Sequence, residues 1–461
     1  MLLPVTADIN DDGVITIGGC DVESLKAEYG TPLYIIDLKT LKKQCSDYLT
    51  YFNFSGCKSE VIYASKAFCA IPMCQYIRQQ GLSIDVSTGG ELYTVLKSGF
   101  EPEKIFFHGN NKSSEEINFG LDYKVGTFIV DNLNELETIN AFAGKKSVRQ
   151  DIMLRITPNI KAHTHKYIQT GAQESKFGFG LFKGIAQEAV KKALQMENLN
   201  LTGFHAHIGS QIFNIEVYEK LIDVMLGFIK EVKDSTGLEV KTLNIGGGLG
   251  IRYVPEDQPA SISELAGLVY GALEKYSAAH NVKIDKICLE PGRSIIGNAG
   301  TTLYKVGVVK TIPDIKNYIA VDGGMSDNIR PVLYQAKYQA YIANRASYAG
   351  KIIDGDADGG MNAESSSIAT DKNGNVKYTI VGKHCESGDV LIEDIMLPRV
   401  KENDLILVGS TGAYCYSMSS NYNGQTRPAV ISVENGKSCL WVERQSYEDL
   451  VSKDKKLNGC E

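Results

Sequence analysis

The sequence lacks the features of a membrane-spanning or secreted chain. No apolar run approaches the roughly 18 residues that cross a bilayer, and the start MLLPVTADINDDG has neither a basic segment nor an apolar core after it. The ten cysteines include no C-x-x-C pair and are scattered, so we expect reduced thiols and no structural zinc. We therefore predict a cytoplasmic protein.

The sequence also has no block of like charge. The formal net charge is −7, from 48 basic and 55 acidic residues that are mixed along the chain. This pattern argues against nucleic acid or an anionic membrane surface as a partner. We expect small molecules as the partners instead.

Eight short β-rich runs are present between residues 61 and 292, and a helix-like stretch follows each of them. The runs are VIYASK, SIDVST, KIFFHG, GTFIVD, DIMLRIT, LTGFHAHIG, KTLNIGGG and KICLEPG. Their spacing is roughly 20 to 25 residues except for two longer intervals, which fits one strand, one turn and one helix per unit. The pattern predicts an α/β fold, a (β/α)8 barrel.

Polar residues and a glycine stand where these strands should end. They are Lys66, Asp85, His108, Arg155, His207, Gly246 and Glu290. Any one of them is commonly a turn residue. Enzymes with this fold carry their functional residues at the carboxyl ends of the strands, so together these residues indicate an active site.

A second domain is predicted because the alternation of strand-like and helix-like sequence stops after residue 300. The runs TLYKVGVVKTI, NYIAVDGG, AVISVEN and CLWVERQ follow one another without helices, and the N-terminal DINDDGVITIGG and TPLYIID add a hairpin signal and a strand. We predict a barrel domain over 39–300 and a β-rich domain formed by 1–38 and 301–461. The polar stretch 354–375 begins like a calcium-binding loop, but its twelfth position is Ser365 instead of the glutamate that binds calcium there. We therefore predict a surface loop.

Lys66 lies in VIYASKAFCA, whose other residues are typical of a buried strand that runs into a helix. Burying an unpaired ammonium costs several kcal/mol. Lys66 therefore either reaches water at the frayed end of the strand, or it is paired or covalently modified.

Two H-x-H pairs invite a metal interpretation. His163 and His165 lie in loop-like sequence, and His205 and His207 have no obvious carboxylate or cysteine to complete a site. We therefore predict no metal. An imidazole at a strand end can equally stack on a planar ring.

The remaining strand-end residues describe a cofactor site. The turn Gly246–Gly248 lacks Cβ atoms, so its amides can approach a phosphate and Ser210 can add a hydroxyl donor, although a bare turn is the commoner structure. Glu290 can keep a ring nitrogen protonated, and His207 can stack on the ring. With the amine of Lys66, this set predicts pyridoxal 5'-phosphate (PLP) bound as a Schiff base.

These residues belong to motifs that one protein family shares in the same order. The motifs are YASKA, DVSTGGEL, HTHKYIQTG, HIGSQI, GGGLG, EPGRSI, VDGGMSDNIRPVLY, CESGD and GAYCYSMSSNYN, which extend over nearly the whole chain. The sequence resembles the diaminopimelate decarboxylases, barrel-type PLP enzymes related to ornithine decarboxylase. The resemblance implies decarboxylation of meso-2,6-diaminopimelate to L-lysine and CO2, the last step of lysine biosynthesis, by a homodimeric carboxy-lyase.

The resemblance also implies roles for individual residues. Lys66 would carry the cofactor, His207 would stack on its ring and Glu290 would contact the pyridine nitrogen. Further cofactor contacts would come from Asp85, Ser210, Gly246, Gly247, Gly248, Gly292, Arg293 and Tyr414. Substrate contacts would come from Arg293, Arg330, Tyr334, Tyr414 and Glu386. Cys385 would donate a proton, and both Cys385 and Glu386 would reach in from the other subunit.

Charge distinguishes the possible substrates on this scaffold. Diaminopimelate has a second carboxylate at its far end, which Arg293 and Arg330 suit. D-Lysine, D-ornithine and other basic amino acids have only an ammonium there, and their decarboxylation is the alternative activity. A catalytically silent PLP-binding partner is a more distant alternative, because Lys66, Cys385 and Glu290 are all present. An amino-acid racemase is another, but the segments CESGD and SDNIRPVLY do not resemble that family.

Overall fold

A computed structural model describes residues 2–160, 175–346 and 374–457 of the chain. It divides into two compact units. The barrel unit comprises Lys42–Ile251 and Gln258–Ile295, and the β-rich unit comprises Met1–Leu41, Arg252–Asp257 and Ile296–Glu461. The predicted domain limits stay a prediction. The pair His163 and His165 lies outside the described residues, and so does the predicted loop up to residue 373.

The N-terminal elements form the predicted hairpin and strand. They are β1 (Asp8–Ile9), β2 (Ile15–Ile17), β3 (Cys20–Asp21), α1 (Val22–Tyr29), β4 (Leu33–Asp37) and α2 (Leu38–Tyr51). β1 and β2 pair antiparallel across a turn in which Gly13 has a φ of 75°. A glycine adopts this conformation without strain, as the Asp-Gly signal predicts.

The barrel consists of the eight predicted parallel strands. They are β5 (Lys58–Ala64), β6 (Ser83–Val86), β7 (Ile105–Phe107), β8 (Thr127–Val130), β9 (Gln150–Thr157), β11 (Leu199–His205), β12 (Thr242–Asn244) and β13 (Lys286–Leu289), and a short β10 (Phe179–Gly180) pairs with β9. Closure comes from the pairing of β13 with β5. The predicted barrel is therefore confirmed.

Helices alternate with these strands as predicted. They are α3 (Ile71–Gln79), α4 (Gly89–Lys97), α5 (Ser114–Asp122), α6 (Leu133–Lys145), α7 (Ile185–Leu194), α8 (Glu216–Thr236), α9 (Ile262–His280) and the short α10 (Arg293–Ile296). Side-chain caps fix several starts: Ser113 and Ser261 form capping boxes with Glu116 and Glu264. None of the described helices is long and apolar enough to cross a membrane.

The β-rich unit joins the two ends of the chain in one sheet. Its remaining elements are β14 (Gly300–Ile312), β15 (Lys316–Val321), α11 (Arg330–Tyr334), β16 (Ala340–Ile342), β17 (Val376–Val381), β18 (Val390–Leu397), β19 (Leu405–Val408), β20 (Ala429–Glu434), β21 (Lys437–Val442) and α12 (Tyr447–Val451). β4 pairs antiparallel with β14 and parallel with β20. The N-terminal segment thus belongs to this β-rich unit, as predicted.

Candidate active site

Lys66 follows the first barrel strand rather than lying inside it. β5 ends at Ala64, and Ser65–Ala67 form a 3₁₀ turn in which Ser65 N donates to Asp85 Oδ1 at 3.0 Å. Ser65 and Ala67 are buried, whereas Lys66 is exposed. Of the alternatives that the sequence left open, Lys66 reaches water at the end of the strand, because the strand ends two residues before it and the turn leaves its side chain exposed; the exposed amine is also available for covalent modification.

The Glu290 carboxylate is the centre of a buried hydrogen-bond network. Its Oε1 lies 2.8 Å from His108 Nε2 and accepts a hydrogen bond from Asn244 Nδ2 at 2.8 Å, while its Oε2 lies 3.1 Å from His205 Nε2. Burial lowers the pKa of His108 to about 4 and also lowers the pKa of His205, so both neutral rings can donate. Burial acts to raise the pKa of Glu290, but the two histidines outweigh it and hold that pKa well below its ordinary value. Glu290 is therefore an anion.

This network corrects the interpretation of the second histidine pair. Glu290 is a carboxylate neighbour of His205, and the donor atoms of His108, His205 and Glu290 all lie within 4.8 Å of one another. The expectation that His205 has no carboxylate nearby is therefore wrong. Because β7, β11 and β13 bring these residues together, the H-x-H spacing alone did not reveal the cluster.

Acidification is expected to destabilise the protein through His108. The buried ring has a pKa of about 4 instead of 6.5, so the unfolded chain binds more protons between these values. Stability should therefore fall by up to about 3 kcal/mol as the pH drops from 6.5 to 4.

His108→Gln should flatten this dependence, since glutamine can donate to Glu290 without taking up a proton. Apparent melting temperatures at pH 7 and pH 5 check the prediction. His280→Gln, at the partly exposed end of α9 and outside the Glu290 network, is the control for replacing a histidine and is measured at the same two pH values. Equal pH dependences for His108→Gln and the wild type would contradict the prediction.

The turn after β12 accepts only glycine at its centre. Gly246 and Gly248 have φ values of 68° and 124°, and a Cβ atom on Gly247 would lie 2.0 Å from the carbonyl oxygen of Glu290. Gly247 N donates to His207 Nδ1 at 3.3 Å. Burial lowers the pKa of His207 well below its ordinary value, so the ring is neutral and carries its proton on Nε2.

Ser210, Gly292 and Arg293 lie at the same ends of the strands. Arg293 Nη2 donates to Ser210 Oγ at 2.9 Å. A Cβ atom on Gly292 would lie 2.9 Å from the Cβ atom of Ala64, so the Pro-Gly turn packs directly beside the start of the Lys66 turn. Asp85 is buried there too, and burial, with the charge of Glu290, raises its pKa well above the ordinary value.

In the β-rich unit, Arg330 is a buried cation among aromatic rings. Its guanidinium carbon lies 5.0 Å from the ring centre of Tyr253, 6.0 Å from that of Tyr334 and 5.8 Å from that of Tyr338. Nη1 donates to the Tyr338 hydroxyl. Among the residues that the structure describes, no carboxylate forms an ion pair with Arg330. The tyrosines stabilise the charge through cation–π contacts and leave guanidinium donors for an anion.

The CESGD segment of the same unit is a turn that hydrogen bonds fix in place, and two of its side chains are exposed. His384 Nδ1 lies 2.9 Å from Asp389 Oδ2, and Cys385 N donates to Asn423 Oδ1 at 2.9 Å. Cys385 and Glu386 are both exposed in the single chain. The turn therefore presents a thiol and a carboxylate on a fixed backbone.

Tyr414 has an unusual backbone conformation in the same unit. Its φ is 61°, and it stands between the buried residues Ala413 and Cys415. A bulky residue in this region costs of order 1–3 kcal/mol and is commonest at functional sites. The strain agrees with the role predicted for Tyr414, which stays a prediction.

Comparison with known proteins gives a consistent result. Residues 38–297 match the family model described as the pyridoxal binding domain of pyridoxal-dependent decarboxylases. The diaminopimelate decarboxylase of Bacillus subtilis (strain 168) is 44% identical over 454 residues, which are 98% of this chain and 98% of that protein. The chain belongs to the diaminopimelate decarboxylase family.

Other members of the diaminopimelate decarboxylase family agree in sequence and structure. The Staphylococcus aureus (strain COL) protein is 40% identical over 98% of this chain and 100% of its own length. The crystal structure of the M. jannaschii diaminopimelate decarboxylase with L-lysine has a TM-score of 0.87, 33% identity and 99% coverage of both chains. Membership of this family confirms the predicted barrel and PLP as the cofactor.

The barrel unit fits this cofactor. Lys66 offers an exposed amine, Glu290 a buried anion for a protonated ring nitrogen and His207 a flat neutral ring. The Gly246–Gly248 turn leaves no room for Cβ atoms, as expected where backbone amides approach a phosphate. The particular role of each residue stays a prediction.

Proposed function

We propose that the chain is a carboxy-lyase that converts meso-2,6-diaminopimelate to L-lysine and CO2, the last step of lysine biosynthesis. The observation that carries this proposal is the buried Arg330, which has no carboxylate partner among the described residues. Such a guanidinium recognises an anion, and diaminopimelate has a carboxylate at both ends. The presence of L-lysine in the crystal structure of the M. jannaschii relative supports lysine as the product.

In the barrel unit, Lys66 Nζ would hold the cofactor, and its exposed position would leave it accessible to the substrate. When bound, PLP supplies a protonated ring that accepts the electron pair left as CO2 departs. The Glu290 carboxylate would accept the ring N–H and keep that nitrogen protonated. His207 would stack on the ring. Further contacts would come from Asp85, Ser210, Gly246, Gly247, Gly248, Gly292 and Arg293, and from Tyr414 of the β-rich unit.

The remaining residues act on the substrate. Arg330 binds the carboxylate that is retained in lysine, with Arg293, Tyr334 and Tyr414 as further contacts. Glu386 binds the distal amine by charge. Cys385 Sγ donates a proton to the carbon that has lost CO2.

We propose that Cys385 and Glu386 serve the site of the other subunit in a homodimer. Both are exposed in the single chain, whereas proton donation to a substrate carbon needs a site closed to bulk water. A second copy of the chain would supply that cover. Subunit mixing, described in the Discussion, tests this arrangement.

The activity is tested by measuring CO2 and lysine release from the PLP-loaded protein. Meso-diaminopimelate is the substrate, with D-lysine, D-ornithine, L-ornithine and L-arginine in parallel. We expect release from diaminopimelate alone. Release only from a basic monocarboxylate would favour the alternative activity, and no release from any substrate would favour a silent PLP-binding protein.

A cytoplasmic location is also proposed. It is supported by the free cysteines of the described residues, because reduced thiols are typical of cytosolic proteins. Cell fractionation with an antibody against the chain tests it, and recovery in the membrane fraction would contradict it.

A further inference from the structure

Asn244, the last residue of β12, contacts two parts of the proposed cofactor site at once. Its side chain is fully buried. The amide nitrogen Nδ2 donates to Glu290 Oε1 at 2.8 Å, and the amide oxygen Oδ1 accepts from Gly246 N at 2.9 Å. One carboxamide therefore joins the carboxylate proposed for the ring nitrogen to the first amide of the glycine turn proposed for the phosphate.

The chemistry of these two partners allows only one orientation of the carboxamide. The Glu290 carboxylate accepts hydrogen bonds, and Gly246 N–H donates one. A flipped amide would set oxygen against carboxylate and NH2 against N–H, leaving two buried polar contacts repulsive. Asn244 thus has a fixed side-chain orientation, and a shift of the turn is transmitted to Glu290.

Neither an aspartate nor an alanine can make both contacts. Aspartate can accept from Gly246 N but would place a second anion beside Glu290. Alanine can accept from neither and donate to neither, leaving a buried N–H and a carboxylate without these partners.

We propose that Asn244 is a positioning residue that couples the glycine turn Gly246–Gly248 to the Glu290 carboxylate, so that the phosphate end and the ring-nitrogen end of PLP are held in register. Asn244 contacts neither the cofactor nor the substrate in this role. The inference rests on the cofactor contacts proposed above for Glu290 and the glycine turn, but not on the identity of the substrate.

The test compares Asn244→Ala, Asn244→Asp and the control Asn198→Ala. Asn198 Nδ2 also bonds within the barrel unit, to Asn140 O at 3.3 Å, but Asn198 precedes β11 and so lies at the opposite ends of the strands. The apoenzymes are titrated by equilibrium dialysis with PLP and with pyridoxal, which lacks the phosphate. The absorbance of the bound cofactor is then followed against pH, and melting temperatures report on folding.

We expect Asn244→Ala to weaken PLP binding by about 10- to 100-fold. The preference for PLP over pyridoxal should also fall, because the turn amides are no longer fixed. Asn244→Asp should retain more of that preference, since it can still accept from Gly246 N. The pH at which the absorbance of the bound cofactor changes should be higher in Asn244→Asp than in the wild type, because the added anion favours protonation of Glu290. Asn198→Ala should change the melting temperature alone.

Two results would overturn the inference. One is an Asn244→Ala protein with wild-type PLP affinity and wild-type preference over pyridoxal. The other is equal losses in Asn198→Ala, which would indicate general destabilisation. A wild-type protein that binds PLP as expected but does not decarboxylate diaminopimelate would contradict the proposed function while leaving the coupling by Asn244 supported.

Discussion

Lys66→Ala is expected to lower decarboxylation by about 10⁴-fold, the upper range for loss of a group that acts directly in catalysis. The amine stands exposed at the end of β5, where a 3₁₀ turn separates it from the buried strand. Without it the cofactor would lose the covalent attachment proposed at Lys66, although Glu290 and the glycine turn remain. The variant should fold normally, because the Lys66 side chain is exposed.

Borohydride reduction followed by mass spectrometry provides a readout independent of activity. The wild-type protein should carry the reduced cofactor on the peptide that contains Lys66, and Lys66→Ala should not. Lys97→Ala, an exposed lysine of α4, is the control and should be labelled as in the wild type. Labelling of a different lysine in the wild type would overturn the assignment.

The same variant tests the proposed shared site. Lys66→Ala and Cys385→Ala are each expected to be nearly inactive. If Cys385 acts across the subunit interface, random exchange of subunits makes half of the dimers mixed, and each mixed dimer regains one intact site of two. About a quarter of wild-type activity should then return. No recovery after verified exchange would place Cys385 and Lys66 of one chain in the same site.

Arg330→Gln is expected to lower kcat/KM for diaminopimelate by about 100-fold, mainly through KM. The substitution removes a buried cation that no carboxylate partners among the described residues, and it leaves the rings of Tyr253, Tyr334 and Tyr338 in place. Inhibition by L-lysine, which retains one carboxylate, should weaken in parallel. Inhibition by cadaverine, which has none, should stay unchanged.

Arg345→Gln is the matched control in the same unit. Arg345 forms a partly exposed ion pair with Asp404 at 2.5 Å, so its loss should affect stability but neither KM nor inhibition by L-lysine. A parallel loss of cadaverine and L-lysine binding in Arg330→Gln would show that Arg330 supports the site without recognising the carboxylate.

The barrel was predictable because its strands have distinctive sequences. β8 and β13 carry the apolar runs TFIV and KICL, buried as expected for parallel strands covered on both faces. Capping residues such as Ser113 and Ser261 mark the helix starts between them. Short elements were missed: β10 has two residues and α11 has five, too few to show a period.

The site was predictable in composition but not in its contacts. Lys66, His207 and Glu290 were identified because polar residues interrupt apolar runs or belong to family motifs. The hydrogen-bond partners of Glu290 were not identified from the sequence, because they lie on other strands and such contacts depend on the closure and register of the barrel. Asn244 immediately precedes IGGG, and a polar residue at the end of the run KTLN beside a glycine turn was the available signal.

The position of β4 between β14 and β20 determines the order in which the protein can be completed during synthesis. The barrel strands, which end at Leu289, are all made before either neighbour of β4. Both edges of Leu33–Asp37 therefore have unpaired N–H and C=O groups until Gly300–Ile312 has been made, and one edge stays unpaired until the ribosome has passed Glu434. Chains that terminate before Ala429 keep one edge of β4 open, and open strand edges promote aggregation. Chains that terminate before Ala429 should thus self-associate, and we do not expect them to remain as folded proteins that lack only the C-terminal segment.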